Sequence, residues 1–367
     1  MAQRRLAARA RCRAGLAIRA MIDAPFLLYL GHSTDSVGIK TARGLATFRR
    51  GDCVGEFRHD DCPLTLGLPR LTMEEAAARG ARTLVLGVAH AGGAMGPVLI
   101  EDAHAALAAG MSVASGLHHR LRDVPSLVTL ARARGLDLID VRDPPRDLKV
   151  GTGEFRAGRR LLTVGTDCSV GKMYASIALA EGLRARGRAA GFGADFRATG
   201  QTGILIAGSG VPVDAVVADF ISGAIEQLAP ARHDGGWDVI EGQGSLFHPS
   251  FAGVSTGLLH GAQPEAIVLC HDPARAEMRG IPGRSLPDLS DCLAMNLQVA
   301  RLTSPRVYAA GVCLNTVTMD EDAARALCRR VEDMLGLPAT DPHRFGVEPI
   351  LGLLCTAPSA PARIASR

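Results

Sequence analysis

Leu161-Leu-Thr-Val-Gly-Thr-Asp-Cys-Ser-Val-Gly-Lys-Met-Tyr-Ala-Ser-Ile-Ala-Leu179 is the stretch whose reading decides the fold. The apolar run Leu161–Val164 predicts a buried strand. A glycine-bearing loop, 165–172, follows, and Met173, Ile177 and Ala180 then share one face of a helix. Strand, loop, Gly-Lys and helix in that order form the layout of a phosphate-binding loop. Unpaired N–H groups at a helix start converge on one spot, and the helix dipole favours an anion there. Gly171 lets the backbone approach a phosphate, and Lys172 adds a point charge. Such loops ordinarily close Gly-Lys-Ser/Thr, with the hydroxyl on Mg²⁺. Here the position is Met173, a soft thioether with little affinity for a hard cation. The expectation is a phosphate grip made by Gly165, Thr166, Asp167, Cys168, Ser169, Val170, Gly171, Lys172 and Met173, with no metal.

Downstream, Ala189–Gly193 is expected to form a second strand. The polar stretch after it, 195–203, reads as a binding loop carrying Asp195, Arg197, Thr199, Gln201 and Thr202. Trp237–Ile240 is the next strand and ends in Glu241-Gly-Gln243-Gly-Ser245. An acid at the end of a strand beside the phosphate-loop strand ordinarily contacts Mg²⁺; here Glu241 can serve instead as a general base. His248 follows in the same loop, and His271 ends the strand that begins at Ala266. Glu241, Gln243, His248 and His271 all fall at strand ends, the usual ligand face of an α/β sheet. Another strand ends at Asn315. Thr318-Met-Asp-Glu321 reads as a capping box for a helix that turns Ala324, Leu327, Cys328, Val331, Met334 and Leu335 inward.

Upstream, Phe26–Leu30, Thr83–Val88, Ser112–Ser115 and Leu136–Val141 read as strands. Thr72-Met-Glu-Glu75 signals a helix from Met73 to Gly80, and another helix is expected from Pro97 to Ala109. Alternating strands and helices imply a doubly wound parallel sheet. No GxGxxG follows the first strand, which argues against a dinucleotide site. His32, Asp35, Lys40 and His90 occupy strand-end loops and are candidates to face a cleft. His118-His119 lacks helix-spaced partners and reads as an exposed pair. The Pro-rich, charged segment beginning at Asp143 is a connector. The expected organisation is a basic tail over 1–20, a Rossmann-like α/β domain over 21–157 and a P-loop NTPase-like α/β domain over 158–367.

The 367 residues are 47% hydrophobic and 21% charged, as expected of a chain that buries a real core. Aromatics make up only 4%, too few for single-strand nucleic-acid stacking platforms. The net charge is +4, and Arg4, Arg5, Arg9, Arg11, Arg13 and Arg19 crowd the start without a single acid. Neither a nucleic-acid nor a membrane partner is indicated. The nine cysteines contain no CxxC pair, which suits a reduced, cytoplasmic chain. Cys168 reads as a small loop-filling residue, although a helix N-terminus favours a thiolate there.

Gly165-Thr-Asp, Val170-Gly-Lys172, Glu241-Gly-Gln-Gly and Asn315 resemble the dethiobiotin-synthetase-like branch of P-loop proteins. In that branch the Asn helps to read a base. A closer resemblance spans nearly the whole chain from Phe26. It is carried by GTDCSVGKM (165–173), ATGQTGILIAG (198–208), VPVDAVVADFISGAIE (211–226) and EGQGSLFHPS (241–250), and it is to the D-glutamate N-acetyltransferase family. The resemblance implies a Rossmann-like N-terminal domain, a P-loop C-terminal domain, and transfer of acetyl from acetyl-CoA to the amine of D-glutamate. It also implies a racemase as metabolic partner, acting on the N-acetyl product. On that chemistry Glu241 or His271, with Asp195 behind them, would take the amine proton. Donors in 200–203 or 242–245 would hold the oxyanion, and Arg197 or Arg279 would hold the substrate carboxylates. Thr199, Gln201, Thr202, Gln243 and His248 complete the substrate-binding set, and Asn315 joins the cofactor set. A homo-oligomer is expected. The competing readings are an ATP-dependent ligase of the dethiobiotin-synthetase type and a nucleotide-gated regulator or metallochaperone.

Overall fold

The computed structural model describes residues 22–88 and 95–356; the basic tail over 1–20 and His90 lie outside the described residues. The chain divides into two compact units. Among the described residues, one comprises those up to Pro145 together with Gly200–Ala215, and the other comprises Arg146–Thr199 together with those from Val216 to Thr356.

The first unit runs β1 (Phe26–Gly31), α1 (Lys40–Phe48), β2 (Cys53–Arg58), α2 (Met73–Ala78), β3 (Thr83–Leu86), α3 (Pro97–Ala108), β4 (Ser112–Ser115), α4 (Pro125–Arg134) and β5 (Leu138–Asp140). Its strands are parallel in the order β2-β1-β3-β4-β5. Every residue of β1 is buried, which explains why it reads as an unbroken apolar run. The capping box before α2 forms: Glu75 N–H donates to Thr72 Oγ1 (3.2 Å) and Thr72 N–H donates to the Glu75 carboxylate (2.9 Å). Sequence reading passed over β2, because Cys-Val-Gly-Glu-Phe-Arg carries a glycine and a buried acid where a strand usually shows apolar residues. Gly55 is needed there: a Cβ would lie 2.5 Å from Leu71 Cδ1 and 2.6 Å from the Pro69 carbonyl oxygen.

The second unit begins with β6 (Arg159–Gly165), α5 (Lys172–Ala190) and β7 (Ala194–Arg197). The strand expected at Ala189–Gly193 is therefore displaced. Alanines 189 and 190 continue the helix until Gly191 ends it in a left-handed turn (φ 81°), and extended backbone starts three residues later. The next helix, α6 (Gln201–Ala207), belongs to the first unit, where Thr202 Oγ1 lies 2.9 Å from Thr41 Oγ1. The rest is α7 (Ile221–Leu228), β8 (Trp237–Ile240), α8 (Ala252–Ala262), β9 (Ala266–His271), α9 (Leu289–Arg301), β10 (Tyr308–Leu314), α10 (Glu321–Leu335), β11 (Ala339–Thr340) and α11 (Glu348–Thr356). The six strands are parallel in the order β11-β10-β9-β6-β8-β7. Chain order reverses at β6, so the loop after β6 sits at the switch point, where open α/β sheets hold ligands. Helix α10 is capped by Asp320, which accepts the Ala323 N–H (2.8 Å), rather than by Thr318: the carboxylate stands directly before the first turn. Its Ala324, Cys328 and Val331 are buried, whereas Met334 is exposed.

Among the described residues the cysteines are all free, and no helix is long and apolar enough to cross a membrane.

Candidate active site around the phosphate loop

The loop between β6 and α5 is shaped to receive an anion. Gly171 (φ 98°) is the N-cap of α5, and Ser169 takes a left-handed φ of 56°, uncommon for a residue with a side chain. Among the described residues no protein group accepts the backbone N–H of Val170, Gly171, Lys172 or Met173. These are the orphan donors of a helix start. Lys172 is buried, and its Nζ donates to the Asp167 carbonyl oxygen at 2.7 Å. Burial lowers its pKa, against the pull of nearby thiols and of Asp167.

The Asp167 carboxylate lies fully buried beneath the loop. Oδ1 accepts the Cys168 N–H (2.7 Å); Oδ2 accepts the Arg279 N–H (2.7 Å) and a guanidinium N–H of Arg275 (2.9 Å). Burial alone would raise the Asp167 pKa, but these donors outweigh it and the group stays below the usual carboxylate value. Arg279 also reaches Ser169 Oγ with its guanidinium, at 2.8 Å.

Strand ends supply the surrounding groups. His271 closes β9, and its Nδ1 lies 3.0 Å from Thr166 Oγ1. Burial lowers its pKa, Arg275 adds to the effect and Asp272 opposes it, so the imidazole is neutral at pH 7. Asn315 N–H donates to the His271 carbonyl (2.9 Å), and Asn315 Nδ2 donates to Asp272 Oδ2 (3.1 Å). Glu241, Thr199 and Gln243 come together. Thr199 N–H donates to Glu241 Oε2 (2.9 Å), Thr199 Oγ1 to the Glu241 carbonyl (2.6 Å), and Gln243 Nε2 to Thr199 Oγ1 (3.3 Å). Gly242 N–H donates to Thr163 Oγ1 at 2.9 Å. A Cβ on Gly242 would stand 1.7 Å from the Thr163 carbonyl oxygen, so only glycine passes so close to β6. His248 is buried; its Nδ1 accepts the Ser250 N–H (3.2 Å), and its Nε2 donates to the Arg279 carbonyl (3.1 Å).

The side chains of the other candidates have different partners. Asp195 and Arg197 belong to an ion-pair lattice: Arg197 and Arg232 both hold the buried Asp238, at 2.8 and 2.9 Å, and both reach Asp195. Gln201 and Thr202 fall in the first unit, and the buried Gln201 Oε1 has no hydrogen-bond partner among the described residues. Also in that unit, His32 pairs with Asp61 (2.6 Å) and stacks on His59 at 3.9 Å. Asp35 accepts the Val37 N–H at 2.9 Å, Lys40 opens α1, and His118 contacts Arg142. Sequence reading did not select Arg275. The available signal was Asp272-Pro-Ala-Arg275, an arginine just past the end of a strand that neighbours β6.

The expectation that this loop needs no metal is corrected by the tertiary structure. A carboxylate oxygen of Asp167, Cys168 Sγ and an imidazole nitrogen of His248 lie within 4.8 Å of one another, a group that could hold a metal ion. The expectation weighed only the missing Ser/Thr hydroxyl, whereas the third donor comes from a loop distant in sequence. An oxygen, a sulfur and a nitrogen suit a borderline ion such as Zn²⁺ better than Mg²⁺. Binding would draw the proton from the Cys168 thiol, whose pKa burial and Asp167 raise, and would exchange the His248 bond to Arg279.

Comparison with known proteins agrees with this architecture. Residues 149–351 match the family described as "Domain of unknown function (DUF1611_C) P-loop domain", and residues 52–144 match its Rossmann-like N-terminal counterpart, DUF1611_N. A D-glutamate N-acetyltransferase from Pseudoalteromonas sp is 45% identical over 334 residues, covering 91% of this chain and 99% of the relative. A protein of the same name from Tritonibacter scottomollicae is 46% identical over 326 residues, 89% of this chain and 97% of the relative. The crystal structure of a DUF1611 family protein from Anabaena variabilis superposes with a TM-score of 0.81 at 31% identity, over 91% of this chain and 99% of that one. A Rossmann-like sheet, a phosphate-loop sheet and near end-to-end similarity to these proteins establish that the chain belongs to the DUF1611 family, which includes the D-glutamate N-acetyltransferases.

Proposed function

We propose that this chain transfers the acetyl group of acetyl-CoA to the amino group of D-glutamate. The observation that carries the reading is the likeness, along nearly their whole length, to two relatives of that name. The phosphate loop supports it. Coenzyme A carries a diphosphate and a 3′-phosphate, and orphan N–H groups beside Lys172 suit such an anion.

The reaction requires a neutral amine. It attacks the thioester carbonyl carbon, the resulting oxyanion collapses, the C–S bond breaks and coenzyme A leaves as the thiol. His271 is the favoured base. It is neutral at pH 7, its Nδ1 is anchored near Thr166, and its Nε2 is the nitrogen left to accept a proton. Glu241 fixes Thr199 and the loop after β8, whose Gln243 and Gly244 N–H groups are candidates for the oxyanion. Arg279 can exchange its bond to Ser169 Oγ for a substrate carboxylate. On this reading the N-acetyl product passes to a racemase, the chain works in the cytoplasm, and it assembles as a homo-oligomer, which light scattering would measure.

The test is incubation with acetyl-CoA and a panel of D- and L-amino acids, following free thiol and the acetylated product by mass. D-Glutamate is expected to give the fastest thiol release. Absence of thiol release with every amino acid of the panel, alongside ADP formation from Mg-ATP, would overturn the reading in favour of a ligase.

A further inference from the structure

Three successive carbonyl oxygens of the phosphate loop are each occupied by a cation. Lys172 Nζ donates to that of Asp167 (2.7 Å), and Arg275 donates to those of Cys168 (2.7 Å) and Ser169 (3.1 Å). The same guanidinium donates to Asp167 Oδ2 at 2.9 Å. A trans peptide points its C=O and the following N–H in opposite directions. Turning these carbonyls toward cations therefore turns the N–H groups of residues 168, 169 and 170 the other way. Asp167 Oδ1 takes the first of them. Those of Ser169 and Val170 join the N–H groups at the start of α5. The left-handed φ of Ser169 produces this concave row of donors, and Arg275 is bonded to the carbonyls of both Cys168 and Ser169. A buried carboxylate under an anion site would also repel the incoming ligand, and Arg275 compensates the Asp167 charge directly.

We propose that Arg275 is a positioning residue for the acetyl donor: by covering the loop carbonyls and neutralising Asp167, it aims the loop N–H groups at the diphosphate of coenzyme A. The proposal rests on the acetyl-CoA reading above, and it predicts a defect specific to that substrate. R275A raises the Kd for coenzyme A and the KM for acetyl-CoA by about 30- to 100-fold, because misplacing a binding loop by an ångström costs on that order. The KM for D-glutamate changes by less than about three-fold, since on the reading above its carboxylate is held by Arg279 and not by Arg275. R275K, which keeps the charge and one donor direction, recovers part of the affinity. Adding D167N to R275A also recovers part, because it removes the uncompensated carboxylate.

The experiment measures coenzyme A binding by calorimetry, both KM values, kcat and the melting temperature for wild type, R275A, R275K and D167N/R275A. R275Q replaces R275A should the latter not fold. Unchanged coenzyme A affinity in R275A overturns the proposal. So does a loss shared equally by both KM values with no recovery in R275K or the double variant, the signature of general unfolding. Wild type that binds coenzyme A without transferring acetyl refutes the reaction, while the binding series still decides the role of Arg275. If wild type binds no coenzyme A, the acetyl-donor reading falls with it, and binding of inorganic diphosphate to the same variants shows whether Arg275 shapes the loop at all.

Discussion

Gly242→Ala is the most demanding perturbation of this site. Gly242 follows Glu241 directly and passes β6 so closely that a Cβ would stand 1.7 Å from the Thr163 carbonyl oxygen, 2.8 Å from its carbonyl carbon and 3.1 Å from Lys172 Cδ. Real Cβ atoms essentially never approach another heavy atom within 3.0 Å, so the loop must retreat by at least the difference from 1.7 Å, or 1.3 Å. Neither side yields cheaply, because the obstacle is backbone of the central strand. The retreat also breaks the Gly242 N–H bond to Thr163 and shifts Glu241 and Lys172 together. Overpacking of this kind costs about 1–3 kcal/mol. At about 2–4 °C per kcal/mol for a unit of this size, the melting temperature falls by about 2–12 °C. Catalysis suffers more: a displacement of about 1 Å at a reacting centre is worth on the order of 100-fold in kcat/KM. The assays are a calorimetric melt and steady-state acetyl transfer on folded protein. An alanine variant with wild-type melting temperature and wild-type kcat/KM would refute the argument, since it would mean that β6 and the loop after β8 are not in this contact.

Arg232→Met leaves the buried Asp238 still paired with Arg197 and should cost about 1–3 kcal/mol in urea denaturation, less than stripping the carboxylate of every partner. Thr72→Ala removes the α2 capping box and should cost about 1 kcal/mol, measured the same way, with acetyl transfer unchanged. His271 has a folded pKa below its ordinary 6.5. Between those two values the unfolded chain holds the extra proton, so stability falls as pH drops from 6.5 through the folded pKa; H271Q should flatten that limb of the denaturation profile.

The phosphate loop was legible in the sequence because its parts are local. An apolar run, a Gly-Lys pair and a helical period follow one another, and each backbone geometry is dictated by near neighbours. The Thr72-x-x-Glu75 cap was legible for the same reason. Propensity misled at Ala189-Ala190, where a glycine one residue on decided how far α5 ran, and at β2, where Gly55 and the buried Glu56 hide the strand.

By itself, the sequence determined that the chain holds two alternating α/β regions, that one of them carries a Gly-Lys loop at a helix start, and that Glu241 and His271 stand at strand ends. Tertiary structure alone decided which strand ends are neighbours. It brought Arg275 onto the loop carbonyls, set His248 near Asp167, committed Arg197 to Asp238 and assigned α6 to the first unit. Local hydrogen bonding fixes an element from a few adjacent residues. Strand order and the packing of loops on one another depend on contacts between residues scores of positions apart, and neither period nor spacing encodes them.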